Sequence, residues 1–381
     1  MKVLYLTNIP VPYKIDFLNE LGKEVELTVL FDREIASDRN VQWLNKKSKT
    51  FKAIFLESYK IKEENALAFS VIKYLNNKYD FIIVGTHSNY TALLAMLYMK
   101  IKGIKYIFNC DGGVFFDNES NWKYLLKKFF VSNAEFYLST GKHTNKWLTY
   151  YGASEKKIFV YPFASFFEKY IEKRVPTNAD KNFFKGQLNI KNKYMIISIG
   201  RFIDLKGFDV LIKSAEDLKN IDVVIYIIGG NKPKESWIKI IREKNLTNVK
   251  FLDFQDMEHL KLWYKAADVF VLPTRQDSWG LVVNEAMANG LPVITTDKCN
   301  AGLELIEDKI NGYIIPINNS KKLAEKVLNL LENKNLRENI SKNNLIKIKK
   351  YTIENMANRY LKILKLVEHN NEKCFDSFSS R

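Results

Sequence analysis

The sequence predicts an α/β protein made of two doubly wound parallel-sheet domains. Three observations carry this. Short apolar runs alternate with helix-period segments along almost the whole chain. The runs are near-continuous in apolar character, as strands covered on both faces are. The chain has 381 residues with 46% hydrophobic content, enough for two cores at roughly 150 residues per domain.

Taken in order, the first half offers KVLYLT (2–7), VELTVLF (25–31), FIIVG (81–85), IKYIF (104–108) and AEFYLS (134–139) as strands. The segment YTALLAMLYMKIK (90–102) reads as a helix between the third and fourth. The second half offers YMIISIG (194–200), VVIYIIGG (223–230), VKFLD (249–253), VFVLP (269–273), PVITT (292–296) and GYIIP (312–316). Strand–helix alternation implies right-handed crossovers and strand ends that open toward a shared cleft. The polar stretch 172–193 reads as the connection between the halves. We therefore expect an N-terminal domain over 1–175, a second over 180–350, and a helix and tail over 351–381. Thr352 is the expected cap of that helix, followed by Ile353, Met356, Tyr360, Leu364 and Val367 at helical spacing. The helix is expected to pack back toward the N-terminal domain.

The net charge is +16. It points to an anionic partner, or to a Lys- and Asn-rich solvated surface, because the excess is dispersed. No helix-turn-helix, RNA-recognition or zinc pattern appears, which argues against nucleic acid. The three cysteines are scattered, without metal-ligand spacing, as in a reducing compartment with no structural metal. Pro10 and Pro12 interrupt the first apolar run, and no run of about 18 apolar residues exists. A cytoplasmic protein is expected. No GxGxxG follows a strand, so NAD is not expected, and no DxD or His cluster offers to hold a metal.

The chemistry is sought in loops after strands. In ISIGRFIDLKGF, Gly200 ends a strand, and Arg201 and Lys206 stand in the loop before the next helix. A guanidinium fork and a point charge there suit a diphosphate, although both also read as solvated charges. In DSWGLVVNEAMANGLPVITT, Ser278, Trp279, Gly280 and Leu281 lie at a helix start, whose amides favour an anion. Asp277 precedes that start and Glu285 lies one to two turns inside it. Each carboxylate can accept two hydroxyl hydrogen bonds, as a sugar diol requires.

IGRFIDLKG, NVKFLDFQDMEHLKLWYKAADVFVLPTRQDSWGLVVNEAMANGLPVITT and AGLELIEDKINGYIIP resemble the C-terminal half of the group 1, family 4 glycosyltransferases, retaining enzymes of the GT-B fold. The match is strong over roughly 195–335 and extends to the N-terminal half only in layout. The resemblance implies two Rossmann-like domains facing a cleft and a metal-independent transfer from a nucleotide-diphosphate sugar. Helix-start amides with Arg201 and Lys206 would bind the diphosphate, Glu285 the ribose and Asp277 the donor sugar. The family's first acid is usually Glu, so Asp277 is a departure that leaves the donor hexose open. Glu304 matches an acid often found near the donor pocket. Asp111, after the IKYIF strand, matches a His or Asp close to the reacting sugar; it also reads as an Asx turn with Gly112 and Gly113. Tyr13, Lys14 and His87 are acceptor-side candidates, Lys14 for an acceptor phosphate, while the family's glycine pair in the first loop is missing.

NWKYLLKKFF (121–130) places Trp122, Leu125, Leu126, Phe129 and Phe130 at helical spacing beside Lys123, Lys127 and Lys128. Such a helix serves an anionic membrane surface or packs on the core with snorkelling lysines. The expected function is hexose transfer to a glycan or polyprenyl-diphosphate-linked acceptor in envelope polysaccharide synthesis, peripheral on the inner membrane face. A GT-B nucleotide-sugar epimerase is the alternative, and a basic nucleic-acid-binding protein a weaker one.

Overall fold

The computed structural model describes residues 1–33, 47–62, 65–86, 89–116, 118–230 and 232–379. The chain divides into two compact units. The first comprises Met1–Ser165 with Thr352–Arg381, and the second Phe166–Tyr351.

The first unit runs β1 (Lys2–Thr7), α1 (Pro12–Leu21), β2 (Glu26–Phe31), β3 (Lys52–Phe55), β4 (Tyr59–Lys62), β5 (Asn65–Leu67), β6 (Phe81–Val84), α2 (Tyr90–Lys102), β7 (Ile107–Cys110), α3 (Asn121–Val131), β8 (Phe136–Ser139), α4 (Lys142–Tyr150) and β9 (Ile158–Val160). Seven strands form a parallel sheet in the order β3-β2-β1-β6-β7-β8-β9. β4 and β5 make a separate antiparallel hairpin. The sheet is wound outward from β1, which pairs with β2 on one side and β6 on the other.

The second unit runs α5 (Asn178–Gln187), β10 (Tyr194–Ile199), α6 (Phe208–Ser214), β11 (Val223–Ile228), α7 (Glu235–Glu243), β12 (Val249–Leu252), α8 (Met257–Ala266), β13 (Val269–Leu272), α9 (Leu281–Ala288), β14 (Val293–Thr296), α10 (Asn300–Leu305), β15 (Gly312–Ile315), α11 (Ser320–Glu332) and α12 (Lys334–Ile348). Its six strands are parallel, in the order β12-β11-β10-β13-β14-β15. Both faces are covered, and β11 is buried at every position, which explains the unbroken apolar run VVIYII.

The polar stretch 172–193 holds α5. Thr177 and Asp180 form a capping box at its start. Two of its lysines are buried. Lys181 and Lys185 both donate to Asp268, at 3.3 and 2.8 Å, and Asp268 also accepts from the Met195 amide at 2.9 Å. One carboxylate thus ties α5 to β10 and to the entry of β13.

The last helix, α13 (Ile353–Ser379), returns to the first unit. Thr352 caps it, accepting from the Asn355 amide at 3.3 Å. Tyr360 packs edge-on against Phe17 of α1, ring centroids 4.7 Å apart, as the apolar stripe from Ile353 to Val367 requires. Among the described residues no helix is long and apolar enough to cross a membrane.

Candidate active site

The second sheet is wound in two directions from β10 and β13, which are neighbours. Their carboxyl ends form the switch point where such sheets bind ligands. Loops 200–207 and 273–280 open there. Gly200 follows β10, and Arg201 is exposed in the loop. Lys206 ends a short 3-10 turn, and Gly207 follows with φ 67°. A Cβ on Gly207 would lie 2.0 Å from the Pro273 carbonyl oxygen, so only glycine lets the two loops touch backbone to backbone. Thr274 Oγ1 donates to the Leu205 carbonyl at 2.7 Å. Arg275 reaches the Asp204 carbonyl at 2.6 Å, Asp209 at 2.8 Å and Asn318 at 2.7 Å. Burial alone would raise the Asp209 carboxyl; Arg275 and Lys213 outweigh it and hold it below the ordinary range. The stitched loops fix Lys206 in place. Gly207→Ala is expected to cost at least about 1–2 kcal/mol from the left-handed backbone alone, read in chemical denaturation.

The result is a contact between two predicted site residues. Lys206 Nζ donates to Asp277 Oδ2 at 2.5 Å, and both side chains are mostly buried. The other oxygen, Oδ1, accepts from the Trp279 amide at 3.3 Å. The loop is anchored on the first turn of α10. Asn300 Nδ2 donates to the Ser278 carbonyl and the Ala301 amide to the Trp279 carbonyl, both at 2.8 Å. Gly280 then caps α9 with φ 98°, and a Cβ there would meet Cys299 Sγ at 2.9 Å. That thiol is no nucleophile: burial, then the Asp277 carboxylate, push it up to about 12. The amides of Gly280 and Leu281 stand at a helix start, where no intrahelical acceptor exists.

Glu285 lies on α9, half-buried. Tyr264 of α8 donates its hydroxyl to Glu285 Oε2 at 3.0 Å. Burial, then Glu285 itself, raise that phenol well above its ordinary value, so it remains a donor that orients the carboxylate. The Trp279 side chain turns inward, its indole N–H donating to Asn284 at 2.9 Å; only its backbone is offered to a ligand loop. Glu304 is half-buried on α10; burial, then Glu304, push the Tyr351 phenol up to about 12.

In the first unit, Asp111 follows β7 and is gripped from several sides. Lys14 Nζ donates to Oδ2 at 3.1 Å. Asn109 Nδ2 and Tyr161 OH donate to Oδ1 at 2.6 and 2.8 Å. Tyr360 of α13 donates in turn to Asn109 Oδ1. Lys14 is buried and also bonds Thr7 at 3.2 Å. Burial would lower its ammonium, but the Asp111 carboxylate, then Tyr13 and Tyr5, hold it above the ordinary lysine value. Lys14 is therefore a fixed cation bound to Asp111. Tyr13 packs edge-on against Phe163, centroids 5.6 Å apart. His87 lies outside the described residues. Tyr264, Tyr161, Tyr360 and Arg275 carry no local motif, and each acts through a partner distant in sequence; Asn109 lies two residues before its partner Asp111. Among the described residues no three His, Cys, Asp or Glu side chains cluster to hold a metal.

Residues 180–346 match the family described as glycosyl transferases group 1. The second unit belongs to the group 1 glycosyl transferases. Two curated relatives are similar to this chain. An uncharacterized glycosyltransferase of Methanocaldococcus jannaschii is 28% identical over 49% of this chain and 59% of its own length. The N,N'-diacetylbacillosaminyl-diphospho-undecaprenol alpha-1,3-N-acetylgalactosaminyltransferase of Campylobacter jejuni is 30% identical over 61% of this chain and 57% of its own. The chain thus spans less than two thirds of the length of these relatives. Among solved structures, Anabaena HepE in complex with UDP and glucose superposes with a TM-score of 0.76 at 18% identity, over 96% of this chain and 99% of that one. The group 1 unit and its companion have the GT-B fold, as the sequence led us to expect.

Proposed function

We propose that the protein is a retaining, metal-independent glycosyltransferase that moves a hexose-type sugar from a nucleotide-diphosphate sugar to a glycan or polyprenyl-diphosphate-linked acceptor. One observation carries the reading: the Lys206–Asp277 pair at the β10/β13 switch point, beside the Gly280 helix start and eight residues before Glu285. A diphosphate fits this arrangement. Helix-start amides and the cations Lys206 and Arg201 take its charge, and Glu285, oriented by Tyr264, takes the ribose hydroxyls. Asp277 is then the carboxylate nearest the phosphate and accepts from the donor sugar. As the bond between sugar and phosphate breaks, negative charge grows on the departing oxygen, and fixed donors there lower the barrier.

The second unit, Phe166–Tyr351, takes the donor in this reading. The first, Met1–Ser165 with the helix that follows Thr352, takes the acceptor and offers Asp111. Paired on one side with Lys14 and held by two neutral donors, the Asp111 carboxyl suits a sugar carbon that gains positive charge. An envelope role is supported by the Campylobacter relative, whose name places its acceptor on an undecaprenol diphosphate. Work at the inner face of the membrane, as a peripheral protein, follows from such an acceptor.

The test is binding first, chemistry second. UDP or GDP should raise the melting temperature. Glu285→Gln keeps the shape but turns an acceptor into a donor, and is expected to weaken the free nucleotide by about 10–100-fold in calorimetry. Unchanged nucleotide affinity in that variant would remove Glu285 from the ribose site. A panel of nucleotide sugars then separates transfer from epimerisation: transfer requires an acceptor, and turnover without one favours the epimerase.

A further inference from the structure

Helix α3 is turned inside out relative to a core helix. Trp122, Leu125, Leu126 and Phe129 share one face, and that face is exposed, with Trp122 63% and Leu125 61% accessible. Only Val131 at its end is buried. A stripe of large apolar side chains in water is the informative exception among exposed residues. The stripe does not stop at the helix. Phe115 and Phe116, also exposed, precede it in the loop that begins at Asp111. Phe116 lies 4.8 Å from Lys127 Nζ. Phe115 packs on Tyr150, which packs on Tyr124 of α3.

The rim is basic. Lys100 of α2 sits 3.7 Å over the Phe129 ring, Lys123 lies 5.6 Å from the Trp122 ring, and Lys102 and Lys128 are exposed nearby in sequence. The adjacent acid is neutralised from within: Glu119 accepts from Lys127 and Tyr151. Lys127 is thus a structural cation, and the outward charge comes from its neighbours. A second copy of this chain fits such a face poorly, since a symmetric contact would set lysine against lysine. An anionic bilayer fits both parts, with headgroups meeting the lysines and the acyl boundary receiving the aromatic and leucine side chains.

We infer that α3, with Phe115 and Phe116, is a docking surface for an anionic lipid membrane. This deepens the membrane-proximal reading above and names its surface. The loop 111–116 then has two ends with two tasks: Asp111 at the candidate site and two phenylalanines at the lipid. A lipid-linked acceptor would enter along that loop.

Flotation with phosphatidylcholine vesicles, with and without phosphatidylglycerol, tests this on the full chain. Wild type should float with anionic vesicles at low salt, detach at high salt, and ignore the zwitterionic ones. Trp122→Ser/Leu125→Ser and Lys123→Glu/Lys128→Glu should each lose at least tenfold in partitioning. Both pairs are exposed, so far-UV circular dichroism and stabilisation by UDP or GDP should be unchanged. Failure of wild type to bind anionic vesicles overturns the surface, as does wild-type binding by both variants. A wild-type dimer that falls apart on Trp122→Ser/Leu125→Ser overturns it too, in favour of a copy interface. Nucleotide binding without vesicle binding sinks only the docking surface; vesicle binding without nucleotide binding sinks only the transferase reading.

Discussion

Lys206→Ala is expected to lower kcat by about 10²–10³-fold while the fold persists. The lysine's carbon chain lies over Gly200, whose hypothetical Cβ would sit 3.4 Å from Lys206 Cδ. What the alanine removes is a preorganised cation at the β10/β13 switch point. It also strips Asp277 of its cationic partner, leaving an uncompensated negative charge where the proposed ligand is a diphosphate. Two penalties therefore add: a missing positive charge and an exposed negative one. Asp277→Asn in the same background separates them, because it removes the second penalty but not the first. Partial recovery of kcat in the double variant is the expected result, by steady-state kinetics with the preferred donor. Near-normal turnover by Lys206→Ala would move the leaving-group role elsewhere. Arg201→Ala is expected to cost less than Lys206→Ala, since its side chain is exposed and the stitched loop persists without it.

Asp268→Asn is expected to destabilise the protein by about 3–5 kcal/mol in urea denaturation. Asp268, Lys181 and Lys185 are all buried. One carboxylate serves two ammonium groups, so its removal leaves both uncompensated. Burial would raise the Asp268 carboxyl, but Lys181 and Lys185 overcome it and hold it below the ordinary value of 3.8. A depressed carboxyl lends stability that is complete above the unfolded value and is lost as pH falls through the folded one. Wild type should therefore lose this contribution on acidification below about pH 4, and Asp268→Asn should lack that component. The opposite limb is also informative. Burial already pulls the Lys181 ammonium down, and the variant pulls it further. Its deficit should shrink as pH rises toward the ordinary lysine range. A variant as stable as wild type at neutral pH would mean that water reaches this cluster.

The repeating core was legible because it is local. Unbroken apolar runs between glycines and polar loops marked the strands from 2–7 to 312–316, and α2 begins and ends at the residues its pattern named. The edge pieces were not legible. β3, β9 and the β4/β5 hairpin are three or four residues long, below the length at which alternation stands out. IKYIF also misplaces its strand: Gly103 closes α2 with a left-handed turn and Ile104 returns its amide to Met99, so pairing starts only at Ile107 and runs on to Cys110. Within the candidate site, the residues flanking glycines were readable and their partners were not. Nothing near Lys206 in the sequence says that it meets Asp277, 71 residues later. Lys181 and Lys185 lie in a stretch that reads as a polar connection, yet both are buried, because only the tertiary fold brings Asp268 to them. Likewise the apolar stripe of α3 specified a helix but not which medium it faces.

The path of the chain sets an order of assembly. Residues 166–351 form one uninterrupted unit, whereas the unit that starts at Met1 is completed only by the segment from Thr352. Tyr360 bonds Asn109 across 251 residues, and Arg359 reaches the Val160 carbonyl at 3.0 Å. On the ribosome, domains ordinarily finish in the order in which they emerge. Here the first-made sheet must wait, its α1 face uncovered and the Asp111 cluster lacking its last tyrosine, while the later-made sheet closes. A nascent chain halted before Thr352 would hold a finished second unit and an unfinished first one.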